Sequence, residues 1–473
     1  MSKEIRADYT QQYLFPPSVE DWVPADHPAR FIREFVDALD MDALGIERNE
    51  GDEGRPHYAP DLLMKVWVYG YFSHIYSCRK LEKACMDSLS LVWLTGNNAP
   101  DHNTLWRFFK NNKKAIRKLF KQGVKIAADA GLVGMALHAL DGTKIKSLAS
   151  NRSGLHREDL EKALEALDAT IDELEKQIER ERGAEDDAQW RLPAQLCDTK
   201  KLREAVSQAL SRMAGESRDH LHPVDEQARM MKCEGTISFA YNAQAMADAG
   251  SGLIVAQEVY NEENDAALLV PMLEEAAATL SGGTAEETLA DGGYVSGAQI
   301  EEAREKEFEI LLPVEPKNAG PYHTINFQYD EQRDVVVCPM GEALTFEREK
   351  EARHGGYMVR VYRCRCRGAC PAASQCSRDK RGRMIEISPH YAAMRAQLAK
   401  QRIEENRCKL KRRSGIIERV FAGAKEHMRF RRFTFHGLES VRAQWSLLCV
   451  AYNLKKMLLW WRDGKLKLAF NAV

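Results

Sequence analysis

The chain has 473 residues, 68 Lys and Arg against 70 Asp and Glu, a formal net charge of −2 and an apolar share of 44%. That length suits several domains with sizeable cores, and no run of about 18 apolar residues exists to cross a membrane. The start MSKEIRADYTQQYLFPP is polar, and eleven cysteines are an odd number in a chain too long for a disulfide scaffold, so a cytoplasmic protein is expected.

Residues 1–132 predict mostly helices. Pro60 suits the first turn of a helix through Leu62, Leu63, Val66, Val68 and Tyr69. Asn103 and Thr104 suit the cap of a helix carrying Leu105, Phe108 and Phe109. Short helices joined by turns fit a helix-turn-helix DNA-binding domain, and equally an ordinary helical bundle. Residues 135–146, MALHALDGTKIK, read as a strand entering a sharp turn, because Asp141-Gly142 is a hairpin signal in its own right.

Between 156 and 214 the pattern changes. Leu160, Leu164, Leu167, Ile171, Leu174 and Ile178 form a heptad seam in a charged helix. A break at 183–193 and a second helix with Leu202, Val206, Leu210 and Met213 predict an antiparallel helical hairpin. ISFAYNAQAMA, the turn 248–252 and LIVAQEVY predict a β-hairpin. Residues 265–278 are apolar at helical spacing, with Asp265 read as a first-turn or capping residue. TLADGGYVSG (288–297) reads as a short buried strand ending in Asp291. A helix near 297–306 and the strand FEILLPV (308–314) complete a mixed α/β sheet.

Residues 325–390 hold Cys338, Cys364, Cys366, Cys370 and Cys376 among glycines, prolines and basic residues. Zinc takes a tetrahedral thiolate shell, and C-x2–4-C pairs supply it. The Cys366–Cys370 spacing fits, with Cys338 and Cys376 as partners and Cys364 competing with Cys366. The alternative is a set of free thiols in a basic loop. Cys78, Cys85, Cys197, Cys233, Cys408 and Cys449 read as isolated packing residues. From Tyr391 to about Trp461 the chain is helical again, broken near 433–437. Its segment 402–432 is densely basic, with Phe421 and Phe430 interleaved, which is the footprint of a polyanion site.

LDGTKIK (140–146), YNAQA (241–245), LADGGYVSG (289–297), IIERVFAGAKEHMRFRRF (416–433) and AYNLKK (451–456) resemble bacterial insertion-sequence transposases of the DDE type, and residues 10–110 resemble the helical N-terminal domain of that group. The resemblance implies an α/β, RNase H-like catalytic fold with Asp141, Asp291 and Glu418 as catalytic carboxylates. They would hold two Mg²⁺ or Mn²⁺ ions and cut and join double-stranded DNA, the terminal repeats of the element and a target. The family's Lys matches as Lys425. Its Tyr and Arg positions hold Lys411 and Ser414, with Arg412 or Arg413 as substitutes for the Arg. DNA contacts are expected from Lys425, Arg412, Arg413, Arg419, Arg429, Arg431 and Arg432. A structural Zn²⁺ is expected at Cys338, Cys366, Cys370 and Cys376, a homodimer in the synaptic complex, and a nucleoid-associated location. A catalytically inactive DNA-binding protein of the same fold and a metal-dependent nuclease are the competing functions. The implied division is a helical DNA-binding domain over 1–132, the first catalytic strand in 133–155 and an inserted helical hairpin over 156–225. The catalytic core follows over 226–324, then the Cys-rich insertion over 325–390 and the helices bearing Glu418 over 391–473.

Overall fold

The computed structural model describes residues 18–46, 57–182, 194–316, 318–353, 356–366 and 368–468, so the break expected at 183–193 lies outside the described residues. The first helices are α1 (Pro28–Asp37), α2 (Met41–Leu44), α3 (Pro60–Phe72), α4 (Cys78–Asp87), α5 (Leu89–Leu94), α6 (His102–Asn111) and α7 (Lys113–Asp129). Pro60 takes the first helical position of α3 as expected. The cap of α6 is Asp101, whose carboxylate accepts from the amide of Thr104, rather than Asn103 or Thr104. A carboxylate two residues before Asn103 satisfies the free amide of the first turn, so the helix starts sooner. Helix α3 buries every residue from Leu63 to Phe72, so it is a core element rather than a helix free to enter a groove.

Strand β1 (His138–Lys146) leads, through β2 (Leu155–His156), to α8 (Arg157–Arg182) and α9 (Ala194–Gly215). These two helices pack as an antiparallel pair, with Leu160 beside Met213 in one cluster and Ile171 beside Leu196 in the other. Leu202, expected in the seam, is instead exposed. The chain continues with β3 (His220–Leu221), which closes the base of the hairpin against β2, then β4 (Arg229–Cys233), β5 (Thr236–Asp248) and β6 (Ile254–Tyr260). Next come α10 (Leu269–Thr279), β7 (Thr288–Leu289), α11 (Gly297–Glu305) and β8 (Ile310–Leu311).

The central sheet runs β4-β5-β1-β7-β8, with β6 also on β5. Strand β1 is antiparallel to β5, which is antiparallel to β6, while β7 and β8 lie parallel to β1. The short β7 and β8 are buried outright, as suits strands covered on both faces. The sharp turn expected at Asp141-Gly142 does not occur. Strand β1 passes straight through both residues, paired with Ala245 and Gln244. The glycine serves a close approach instead: a Cβ on Gly142 would stand 2.2 Å from Gln244 Nε2.

A second sheet, β9 (Gln328–Asp330), β10 (Val335–Val337), β11 (Ala343–Glu351), β12 (Met358–Arg363) and β13 (Met384–Ile387), is antiparallel in the order β13-β12-β11-β10-β9. The single-turn α12 (Ala373–Cys376) lies in the β12–β13 connection. Helices α13 (Tyr391–Arg402), α14 (Glu404–Ala422) and α15 (Leu438–Arg462) end the fold. Helix α15 packs on α3, α7 and β6, joining the N-terminal helices and one face of the central sheet into a shared core around Trp445. Helices α10, α11 and α13 cover the other face.

Candidate active site

Strand alternation decides where the polar residues of β1 point. Ala139 and Ile145 face α15, and Asp141 shares that face; Leu140 belongs to the opposite core with Met246. Helix α14 crosses the Asp141 face. Its Arg413 donates Nη1 to Asp141 Oδ2 at 2.9 Å, while Asp141 Oδ1 accepts the amide of Gly142 at 2.8 Å. Burial pushes the Asp141 carboxyl above its ordinary value; Arg413 opposes this, and the neighbouring charge of Asp291 adds to it.

Asp291 follows β7, the parallel neighbour of β1, and caps a 3₁₀ turn (Gly292–Tyr294) by accepting the amide of Gly293 at 2.8 Å. Asp141 and Asp291 are therefore brought together by strands distant in sequence. Glu418 lies on α14 between the buried Ile417 and Val420, but is itself exposed, and among the described residues it has no ion pair. Lys425 was expected on the same helix face as Glu418. A π turn over Gly423–His427 interrupts the α-helical register there. Lys425 reaches back to Lys144 O (3.5 Å) and to Glu234 (3.6 Å).

Residues given no catalytic role from the sequence complete the picture. Asp265 is no simple cap: Oδ1 accepts from Asn242 Nδ2 (2.6 Å), Gln244 Nε2 (2.8 Å) and Lys144 Nζ (3.2 Å). Gln244 Nε2 also donates to Asn242 Oδ1 (2.9 Å), and its Oε1 accepts the hydroxyl of Tyr294. Asn242, Gln244 and Tyr294 are fully buried. The network thus ties β1 and β5 to the turn that carries Asp291. Burial raises the Tyr294 phenol well above its ordinary value, and the charges of Asp265, Asp141 and Asp291 push the same way. The polar alternation N-A-Q within the buried stretch of β5, Phe239–Asp248, was the available signal, since buried amides need partners.

The basic segment splits in two. Arg402 pairs with Glu315, Arg407 with Glu404, Lys409 with Glu287, Arg413 with Asp141, Lys425 with Glu234 and Arg431 with Glu426. Lys411, Arg412, Arg419, Arg429 and Arg432 have no ion pair among the described residues.

The cysteines of the small sheet gather at one end. Cys364 and Cys366 have sulfurs 2.9 Å apart, and this contact, then burial, pushes the Cys366 thiol up to about 12. Burial raises the Cys376 thiol, with Cys338, Cys364 and Cys370 adding to the shift. Among the described residues no three His, Cys, Asp or Glu side chains converge as a metal-ligand set, in the small sheet or at Asp141 and Asp291. No helix is long and apolar enough to cross a membrane among the described residues.

Residues 17–111 match the family described as "Transposase domain (DUF772)", and residues 337–458 match that described as "Transposase DDE domain". The second match spans the cysteines and Glu418, while Asp141 and Asp291 lie before it. Comparison with curated proteins and with solved structures gave no match. Transposase-domain matches in this order, one at each end, support an insertion-sequence transposase of the DDE type.

Proposed function

We propose that the protein cleaves the ends of a DNA element and joins them to target DNA, with Asp141, Asp291 and Glu418 as its catalytic carboxylates on an RNase H-like sheet. The observation that carries this reading is the nearness of Asp141, within β1, to Asp291, directly after its parallel neighbour β7, close enough for their charges to repel. Two buried or half-buried carboxylates that repel each other form a hard oxygen donor set suited to Mg²⁺ or Mn²⁺. Bound there, two divalent ions would supply the Lewis acidity that activates the attacking oxygen and stabilises the leaving one.

The chain's own residues do the rest. Arg413 neutralises Asp141 and so limits the repulsion between the two Asp. The Asn242–Gln244–Tyr294 network holds the Asp291 turn in register with β1. Glu418, on the helix that crosses β1, approaches from solvent as the third carboxylate. Lys425, Arg412, Arg413, Arg419, Arg429, Arg431 and Arg432 face the DNA backbone, and residues 1–132 supply further DNA contacts. Two copies pair the two element ends.

The thiols of Cys338, Cys366, Cys370 and Cys376, which lie at one end of the small sheet without converging as a ligand set, would have to draw together to hold a structural Zn²⁺ in this reading. Purified protein should contain one zinc per chain, lost in Cys370→Ser together with stability of the small sheet. Metal-free protein and undisturbed folding of that variant would remove the zinc.

The decisive experiment incubates the protein with a DNA fragment bearing the element ends, target plasmid and Mg²⁺. Joined product is expected. Cleavage without joining would make the protein a nuclease, and binding without cleavage an inactive DNA-binding relative.

A further inference from the structure

The unpaired cations of α14 are not scattered. Lys411, Arg412 and Arg419 line a cavity of 490 Å³ together with Lys456 of α15. The turn between β5 and β6, residues 249–252, forms another wall, and Ser414, Gly415 and Tyr452 complete it. Among the described residues no Asp or Glu lines this cavity.

Lys456 is placed there by construction. Its Nζ reaches Ser251 O (3.4 Å) and lies over the ring of Tyr452 at 5.5 Å from the centroid. Gly252 has φ +66°, and a Cβ on it would stand 3.0 Å from Lys456 Nζ, so the turn leaves room for the ammonium. The turn itself is fixed by Asp248, which accepts the amides of Gly250 and Ser251 and the Ser251 hydroxyl. Burial and the charge of Arg419 both lower the Lys456 pKa. Gathering four cations without a carboxylate is unfavourable in the free protein, and an anion seated among them would reverse that.

We infer that this cavity binds a backbone phosphate of DNA, held by Lys411, Arg412, Arg419 and Lys456. The inference rests on the transposase reading and adds to it a site on the flank of α14. The chemistry favours a phosphodiester: guanidinium groups match phosphate oxygens in a fork, and the cavity is open and polar rather than apolar. Its position favours DNA. Arg412 is the helical neighbour of Arg413, which pairs with Asp141, and successive helical residues point about 100° apart. A strand crossing the Asp141–Asp291 edge would thus pass the cavity on the adjoining flank.

The test is the salt dependence of binding to a mixed-sequence duplex of about thirty base pairs, followed by fluorescence anisotropy on the full chain. Each phosphate contact contributes roughly 0.9 to the slope of log affinity against log salt. Lys411→Gln with Arg412→Gln, and separately Arg419→Gln with Lys456→Gln, should each lower that slope by about 1.8 and weaken binding at low salt. Arg402→Gln with Lys409→Gln removes the same charge from carboxylate-paired positions and should leave the slope unchanged. Lys411 and Arg412 are exposed, so that pair tests the cavity without a folding defect, as a thermal melt would verify. Wild-type slopes in both cavity variants would overturn the cavity while leaving the transposase reading standing. Wild-type protein that binds no duplex would overturn both.

Discussion

The central sheet and the small sheet are held by different means. Strand β5 is buried along Phe239–Asp248 because α15 covers one face and α10 the other. Its buried side-chain amides pair with each other, with Asp265 and Tyr294, and with the carbonyl of Glu262. The small sheet has one modest core, formed by Phe327, Val336, Leu344, Tyr362, Ile385 and Ile387. It also carries ion pairs, such as Lys350–Glu386 and, beside the core residue Tyr362, Arg360–Asp334. A small core seldom suffices alone, and small folds commonly add a crosslink or a metal. The contrast places the residues that need fixed geometry on the sheet covered twice. The thiols lie on the sheet that needs help.

The largest expected effect is on chemistry. Asp291→Asn should slow end cleavage and joining by roughly 10³-fold or more, because several kcal/mol of charge stabilisation depend on that carboxylate. Its melting temperature and duplex affinity should match wild type. A variant that still cuts would remove Asp291 from the site.

Next in size is the buried network. Gln244→Leu leaves the Tyr294 hydroxyl and Asn242 Oδ1 without their partner, and at roughly 1–3 kcal/mol per orphaned group this costs about 2–6 kcal/mol. Urea unfolding measures it, and joining activity should fall as the Asp291 turn loosens. The matched change on the small sheet, Lys350→Gln, breaks an exposed pair worth about 0–1 kcal/mol. Equal losses in the two variants would erase the contrast between the sheets.

Legibility in the sequence followed the same divide. The β5–β6 hairpin, Pro60, the helical pair α8–α9 and the return to helix after Tyr391 were readable because each depends on local periodicity or turn chemistry. The Asp141-Gly142 turn was misread because a glycine can serve a turn or a close approach, and only the partner strand decides. Gln244, 102 residues away, is that partner. Asp265 was misread for a like reason: a carboxylate before a helix caps it in most settings, and its real donors come from β1 and β5. The basic run could not be divided into paired and unpaired cations, since Glu287, Glu315, Glu234 and Asp141 are all remote in sequence. The outward placement of Glu418 was also hidden, because one-residue steps around a helix change the face completely.

The smallest expected effect is one of sign, and the two sheets should give opposite signs. Folding raises the Asp141 pKa, chiefly by burial, so the folded state holds the proton more tightly than the unfolded one. Its ionised form is penalised above the raised value and carries no penalty below the ordinary value near 3.8. Asp141→Asn should therefore melt slightly above wild type at pH 7, with the gap closing as pH falls past that range. Asp334 in the small sheet is the reverse. The Tyr362 hydroxyl and then Arg360 hold its pKa below the usual value, so its contribution is present above about 3.8 and is lost as pH falls through the depressed value. Asp334→Asn should melt below wild type at pH 7 and converge with it only in stronger acid. The backbone at 334 has φ +52°, which Asn tolerates, so the comparison isolates charge. Melting curves of both variants from pH 7 to pH 3 measure the two gaps. If Asp141→Asn melts below wild type at pH 7, Arg413 outweighs burial, and the carboxylate of the central sheet behaves like its counterpart on the small one.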